Sequence, residues 1–359
     1  MSSIENIRPT ITGRGSAFNP SNRFERIEIT TDPLDDYFEP QAVKPQTFYY
    51  KDQSRSFISY NNSPDIGFDA GINPYRGCEH GCIYCYARPY HEYLGFSAGL
   101  DFESKIMVKL DAPELLRQEL SAKKWRPQVL ALSGVTDVYQ PVERKLKLTR
   151  RCLEVLLDFR NPVSIITKNH LITRDTDILK ELARFDCVSV AISLTTLDLE
   201  LRRIMEPRTS APDRRLAAIE ALAQAGIPVG VMTAPVIPGL NDQEIPALVK
   251  EAAKAGARWA GFTIVRLPYA VKEIFSDWLE RHFPGRKKKV LAKIRACHQG
   301  RLSDSRFGQR MRGEGVLAEQ IAKLHRSACR QAGLGGFKFK LSTEHFRLPG
   351  RLVQPGLFE

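Results

Sequence analysis

A chain of 359 residues with 43% aliphatic and aromatic residues can bury a sizeable core, which excludes a fibrous or wholly disordered protein. Its net charge of +12 and sequence pI near 9.4 admit a polyanionic partner such as DNA or RNA without requiring one. No uncharged apolar run reaches the roughly 18 residues of a membrane span, the N-terminal MSSIENIRPT lacks an apolar targeting segment, and seven cysteines are an odd number for a disulfide framework. A cytosolic protein, with no membrane contact, whose cysteines bind metal or do chemistry is therefore expected.

Residues 1–64 are rich in Pro, Asn, Ser and charge and hold little periodicity apart from the β-like RFERIEIT (Arg23 to Thr30). They read as an irregular N-terminal extension that lies over, or hangs from, the main domain. From Asp65 short apolar runs alternate with amphipathic stretches. IGFDAGIN, QVLALSG, VSIITK, CVSVAISL, IPVGVMTAPV and WAGFTIVRL are apolar on both faces, as parallel strands covered by helices are. Between them lie the helical patterns RKLKLTRRCLEVLLDFR, TDILKELARF, DRRLAAIEALAQAG and DQEIPALVKEAAKAG, with Gly226 and Gly256 where left-handed helix caps belong. Six βα units within residues 65–282 imply a parallel α/β sheet curved into a barrel or partial barrel, which binds ligands at the carboxyl ends of its strands. Residues 283–359 form a basic helical C-terminal region: PGRKKK opens it, VLAEQIAKLHRSACRQAGLGG reads as a helix ending in glycine, and FKFKLST alternates like a strand.

The first strand leads into GCEHGCIYCYARPYHEYLG, where Cys78, Cys82 and Cys85 are spaced C-x3-C-x2-C. A closed zinc site needs four protein ligands, yet no second cysteine pair exists, which leaves His80 or His91 as the fourth. A thioredoxin-like pair would leave the third thiol unexplained. Three thiolates make sense for a cubane iron–sulfur cluster, in which they leave one iron open to a substrate or cofactor.

The run C-x3-C-x-aromatic-C, with Tyr84 in the aromatic position and a parallel βα series behind it, resembles the signature of the radical S-adenosylmethionine superfamily. The resemblance implies an α/β fold of the radical SAM type, a partial (β/α)6 TIM-like barrel with N-terminal and C-terminal extensions. It implies a 4Fe-4S cluster on Cys78, Cys82 and Cys85, with S-adenosylmethionine chelated to the open iron. One electron, from a donor such as flavodoxin or ferredoxin, then cleaves the sulfonium to methionine and a 5'-deoxyadenosyl radical that abstracts hydrogen from substrate. Carried to the strand ends, the resemblance places Ser133, Gly134 and Thr136 by the methionine amino group and Lys168 by its carboxylate. Ser193 and Thr195 fall near the ribose or carboxylate, and Val236 and Ile237 against adenine. Each position also has a structural reading: the hydroxyls as caps, Lys168 as a solvated lysine, and VIPGLND as a turn with Asn241 or Asp242 capping the next helix.

Thr195 to Asp242, together with GINPYRGCEHGCIYCYAR, resembles the group related to spore photoproduct lyase, a DNA repair enzyme, over about Gly67 to His282. Photoproduct lyases use a further cysteine near the end of the second strand as hydrogen donor. Here Ser133 stands in that region, its O–H bond is too strong for the role, and no cysteine lies between Cys85 and Cys152. The resemblance therefore leaves the reaction and the catalytic residues unassigned. Cys152, in phase with Leu148, Leu156 and Phe159, is expected in the core, Cys187 opens a buried strand, and Cys329 is the candidate distant thiol. Tyr75, Arg76, Tyr86, Arg88, Tyr90, Tyr139 and Arg208 are expected to stack on and neutralise a nucleotide, which makes a nucleic acid base the leading substrate class. The alternatives are a peptide or small metabolite as substrate, or a non-enzymatic metal-binding module.

Overall fold

In a computed structural model, which describes residues 11–25, 44–334 and 340–350, the six apolar runs become six parallel strands of one sheet. The chain first lays down β1 (Phe48–Lys51), β2 (Ser59–Tyr60), β3 (Ala70–Ile72) and β4 (Tyr75–Arg76), then α1 (Leu100–Ser104), β5 (Lys105–Val108) and α2 (Ala112–Ser121). Next come β6 (Leu130–Leu132), α3 (Glu143–Leu146), α4 (Leu148–Phe159), β7 (Val163–Thr167), α5 (Thr176–Ala183), β8 (Val188–Ser193), α6 (Leu199–Met205) and α7 (Pro212–Gln224). β9 (Val229–Val236), α8 (Ile245–Lys254), β10 (Ala260–Ile264) and α9 (Val271–His282) complete the alternation, and α10 (Pro284–Ala296) and α11 (Val316–Gln331) follow. The sheet runs β10-β9-β8-β7-β6-β3-β2, with β3 to β10 parallel and β2 antiparallel on the edge.

The strands are buried because helices cover them. On α4, Cys152, Leu153, Leu156 and Phe159 enter the main core with Ile165 and Val190 of the sheet. Each fully buried leucine or phenylalanine there contributes roughly 1.5–3 kcal/mol. Gly226 and Gly256 take the left-handed conformation after α7 and α8, with φ +79° and +97°, as their positions require.

Three local expectations change. The stretch from Arg144 to Arg160 is two helices, because Lys147 between them takes φ +52°; helical periodicity on both sides of a break does not show the break. A second sheet, ordered β1-β5-β4, was not legible: every residue of β1 is exposed, so it carries no alternation, and its partner β5 is far along the chain. At the C-terminal end, Lys340 to Thr343 form no strand, and Phe337 to Phe339 lie outside the described residues, as does most of the RFERIEIT stretch, from Arg26 to Thr30.

Candidate active site

The cysteine loop follows β3 and β4 and sits at the carboxyl ends of the parallel strands. Two glycines with positive φ, Gly77 (+79°) and Gly81 (+66°), let it fold back, and a Cβ on Gly81 would stand 2.5 Å from the Glu103 carboxylate. Arg88, wholly buried, then moulds the loop from inside. Its guanidinium donates to the carbonyls of Cys82 (3.0 Å), Gly81 (3.2 Å), Ala98 (3.1 Å) and Gly99 (3.0 Å), and pairs with Glu103 at 2.5 Å. Glu103 in turn accepts the backbone N–H groups of Gly15 and Ser16, both at 2.9 Å. Part of the N-terminal extension is thereby strapped onto the loop, so close that a Cβ on Gly15 would fall 1.9 Å from Gly81 O.

Cys78 and Cys82 are buried and Cys85 nearly so, and all seven cysteines are free thiols. Burial pushes all three upward from the usual thiol value; at Cys78 the charge of Asp137 and of the other two thiols adds to it, and at Cys82 the charge of Glu206 does. Such thiols ionise when a cationic group joins them. Three thiols match the ligand count of a cuboidal iron–sulfur cluster with one open iron and fall one short of a closed zinc site. His80 is committed to other partners, whereas the buried Nε2 of His91 has no hydrogen-bond partner among the described residues. His80 lies 3.3 Å from Asp137 and 3.2 Å from the Asn169 side-chain amide, while His91 packs edge-on against Phe102.

The strand ends meet this loop. After β6, Ser133 takes φ +82° and donates to Thr136 O (3.0 Å), the Thr136 hydroxyl bonds Tyr75 O (2.9 Å), and Gly134 O accepts the Tyr86 hydroxyl (2.6 Å). That segment is held by its own hydrogen bonds. After β7, Asp137 accepts the Lys168 N–H (2.8 Å) and the Thr167 hydroxyl (2.8 Å), and His80 holds it below the usual carboxylate range despite its burial. The Lys168 ammonium reaches Ala234 O (3.3 Å), the Thr195 hydroxyl (3.4 Å) and Glu206 (3.5 Å).

Glu206, which the sequence reading missed, organises the floor. It is fully buried, pairs with Arg215, accepts the hydroxyls of Tyr84 and, at 2.7 Å, Thr195, and its charge reaches Cys82. Burial opposes its ionisation, yet Arg215 and Lys168 hold it well below the usual carboxylate range. Tyr84 is therefore fixed by its hydroxyl as much as by packing. Asn241 is not a helix cap: it accepts the Ile237 N–H (2.6 Å) and donates to Thr195 O (2.9 Å) and Pro235 O (3.1 Å), tying the ends of β8 and β9 together. Val236 and Ile237 are buried at the end of β9, and the Ser193 hydroxyl makes no hydrogen bond among the described residues.

The nucleotide-facing expectation is corrected for the three of seven residues that are buried, while Arg76 and Arg208 are paired but not buried. Tyr75 and Tyr139 are buried with their hydroxyls on Glu143 (2.5 Å) and Asp175 (3.1 Å), and Arg88 lies inside the loop. Arg208 pairs with Glu79 at 3.2 Å and Arg76 with Asp52 at 2.9 Å. Each found a carboxylate that the local sequence does not reveal. Tyr86 and Tyr90 remain exposed. Cys152 is in the main core and Cys187 is buried beside β8, whereas Cys297 and Cys329 share a separate core under α11, with Cys329 against His325.

Six parallel strands with a three-cysteine loop at their carboxyl ends define a barrel-type protein built to hold an iron–sulfur cluster. The family model described as the radical SAM superfamily matches residues 72–252, and the chain belongs to that superfamily, whose cofactors are a 4Fe-4S cluster and S-adenosylmethionine. An uncharacterized protein of Mycobacterium tuberculosis is 39% identical over 225 residues, covering 62% of this chain and 66% of that one, so the match spans just under two thirds of that relative. An uncharacterized protein of Methanocaldococcus jannaschii is 30% identical over 213 residues, 59% of this chain and 76% of that one. Among solved structures, a spore photoproduct lyase mutant with bound AdoMet and dinucleoside spore photoproduct covers 82% of both chains at TM-score 0.59 and 17% identity. A second, spore photoproduct lyase complexed with dinucleoside spore photoproduct, covers 79% of this chain and 78% of its own at TM-score 0.58 and 17% identity. At that identity the likeness is one of fold. No helix among the described residues is long and apolar enough to cross a membrane.

Proposed function

We propose that the protein is a radical S-adenosylmethionine enzyme that abstracts hydrogen from a nucleic acid base. The observation that carries the reading is the loop of three thiols, two buried and one nearly so, whose charges reach one another. In this reading Cys78, Cys82 and Cys85 hold the cluster, and the cluster with S-adenosylmethionine supplies one-electron cleavage and hydrogen abstraction when bound. The protein's own residues bind, orient and exclude water. Lys168, aimed by Glu206, Thr195 and Ala234 O, pairs with the methionine carboxylate. The uncommitted Ser193 hydroxyl and Thr195 serve the ribose, Val236 and Ile237 give adenine an apolar wall, and the segment Ser133, Gly134, Thr136 closes the far side. Tyr84, pinned to Glu206, keeps the loop dry beside Cys82.

The nucleic acid part of the reading is supported by the charge of +12, by the exposed rings of Tyr86 and Tyr90 beside the cysteine loop, and by the dinucleoside spore photoproduct bound in the lyase of like fold. Reversal of a thymine photoproduct by a thiol donor is not part of it: Ser133 is bound to its own loop, and the remaining four cysteines lie in cores. Flavodoxin or ferredoxin is proposed as electron donor and the cytosol as compartment, in keeping with seven free thiols.

The test is anaerobic. The protein is reconstituted with iron and sulfide, reduced with dithionite, and assayed for 5'-deoxyadenosine from S-adenosylmethionine against Cys82→Ala. Formation that depends on Cys82 supports the proposal. Stoichiometric zinc in protein purified without reconstitution, with no cleavage afterwards, would replace it with a structural metal module.

A further inference from the structure

At the carboxyl end of β10, the last strand of the sheet, Arg266 is a half-buried guanidinium with no hydrogen bond or ion pair among the described residues. Its neighbours show how unusual that is. Arg310 pairs with Asp65 at 2.9 Å, Arg23 with Glu92 at 2.6 Å, and Arg208 with Glu79. Arg266 instead lies with its guanidinium carbon 4.8 Å from the ring centre of Tyr86, the residue after Cys85, with Tyr90, Arg310 and the Asp65 carboxylate paired to Arg310 within its electrostatic reach. A desolvated cation left unpaired at the edge of an active site is an anion receptor.

Around it the rings are arranged for stacking. The residues Arg88–Leu94 form a 3-10 helix, whose three-residue period puts Tyr90 and Tyr93 on one face while Arg88 and His91 are buried on the other. Tyr93 continues to Phe24 at 4.9 Å, and Arg23 bridges Phe24 (5.1 Å) and Tyr269 (3.8 Å), three residues beyond Arg266. All four of these rings are more than half exposed, which is costly for such residues unless something covers them. Interleaved cations and rings on one face match a strand that carries phosphates on one edge and bases on the other.

Resting on the nucleic acid reading above, we propose that Arg266, held over the Tyr86 ring, is the receptor for a substrate phosphate, and that Tyr90, Tyr93, Phe24 and Tyr269 stack the flanking bases of a single-stranded segment. The strand is single because bases paired inside a duplex have no free face to offer these rings. The phosphate receptor fixes which nucleotide reaches the cysteine loop, so Arg266 is a positioning residue.

The probe is a labelled oligothymidylate of about 15 nucleotides, near the upper site size of known single-strand modules, with its oligodeoxyadenylate duplex as comparison. Anisotropy is read on reconstituted protein at two salt concentrations. The single strand is expected to bind more tightly than the duplex. R266A is expected to weaken it about tenfold or more and to flatten the salt dependence by about one counterion, with R266K intermediate. Y93A, at an exposed ring whose loss cannot unfold the core, is expected to weaken it about fivefold or more. Strand binding unchanged in R266A, or a duplex preference indifferent to Y93A, overturns the inference. Wild-type protein that forms 5'-deoxyadenosine but ignores the strand also overturns it while leaving the radical reading intact; binding through Arg266 without any cleavage does the reverse.

Discussion

Arg88→Met tests whether the cysteine loop is shaped by a buried cation. In the fold the guanidinium makes four hydrogen bonds to carbonyls and one ion pair, all away from solvent. Methionine of similar length fills the space but leaves Glu103 charged in the interior, with the Gly15 and Ser16 N–H groups and the more distant charge of Arg14, which bonds the Glu103 carbonyl at 2.6 Å, as its remaining company. Breaking a buried pair in this way costs about 3–5 kcal/mol, and the unsatisfied carbonyls add to it. Replacing both partners removes the stranded charge, so Arg88→Met with Glu103→Leu is expected to be less destabilised than Arg88→Met alone. Urea unfolding measures the free energies, and iron bound per chain after reconstitution measures the loop. Loss of less than about 1 kcal/mol in Arg88→Met, or a double variant whose loss is the sum of the two singles, would refute the reasoning.

Gly15→Ala should displace the N-terminal strap, because its Cβ would overlap Gly81 O; we expect a loss of about 1–3 kcal/mol and faster proteolysis within residues 11–25, and unchanged cleavage would count against the strap. Glu206→Gln should weaken S-adenosylmethionine binding about tenfold or more by releasing Lys168 and Tyr84, while iron content holds; calorimetry showing unaltered affinity would remove Glu206 from the site. His91 is a pH-dependent liability: burial lowers it from 6.5 to about 4, and its Nε2 has no hydrogen-bond partner among the described residues. Below pH 6.5 the unfolded chain takes up a proton that the fold refuses, so stability should fall by roughly 3 kcal/mol as pH drops from 6.5 towards 4. His91→Phe should remove the largest share of that slope, to which the likewise lowered His170, His282, His298 and His325 also contribute, as pH-resolved urea titrations would show, and an unaltered slope would assign it elsewhere.

The six strands were legible because each is apolar on both faces, and the cysteine spacing because the ligands of one cluster lie in one loop. What stayed hidden depends on contacts between distant residues. Glu206 looks like a surface carboxylate in EPRTS until Arg215, Lys168 and Tyr84 close around it. Arg88 and Tyr139 read as exposed polar residues because the sequence does not show that Glu103 and Asp175 turn inward to meet them. Arg266 was missed for the converse reason: WAGFTIVRL reads as a strand with an ordinary charged end, and its lack of an ion-pair partner among the described residues is visible only in three dimensions.

The central claim is that three thiolates hold a cluster with one iron left for the cofactor. Mössbauer spectroscopy of protein reconstituted with iron-57, before and after S-adenosylmethionine, tests it most directly. The account predicts that one iron in four changes its isomer shift on addition, and that Cys82→Ala protein shows no such response. A cluster whose four irons are all unaffected, or a metal content that is zinc alone, would contradict it.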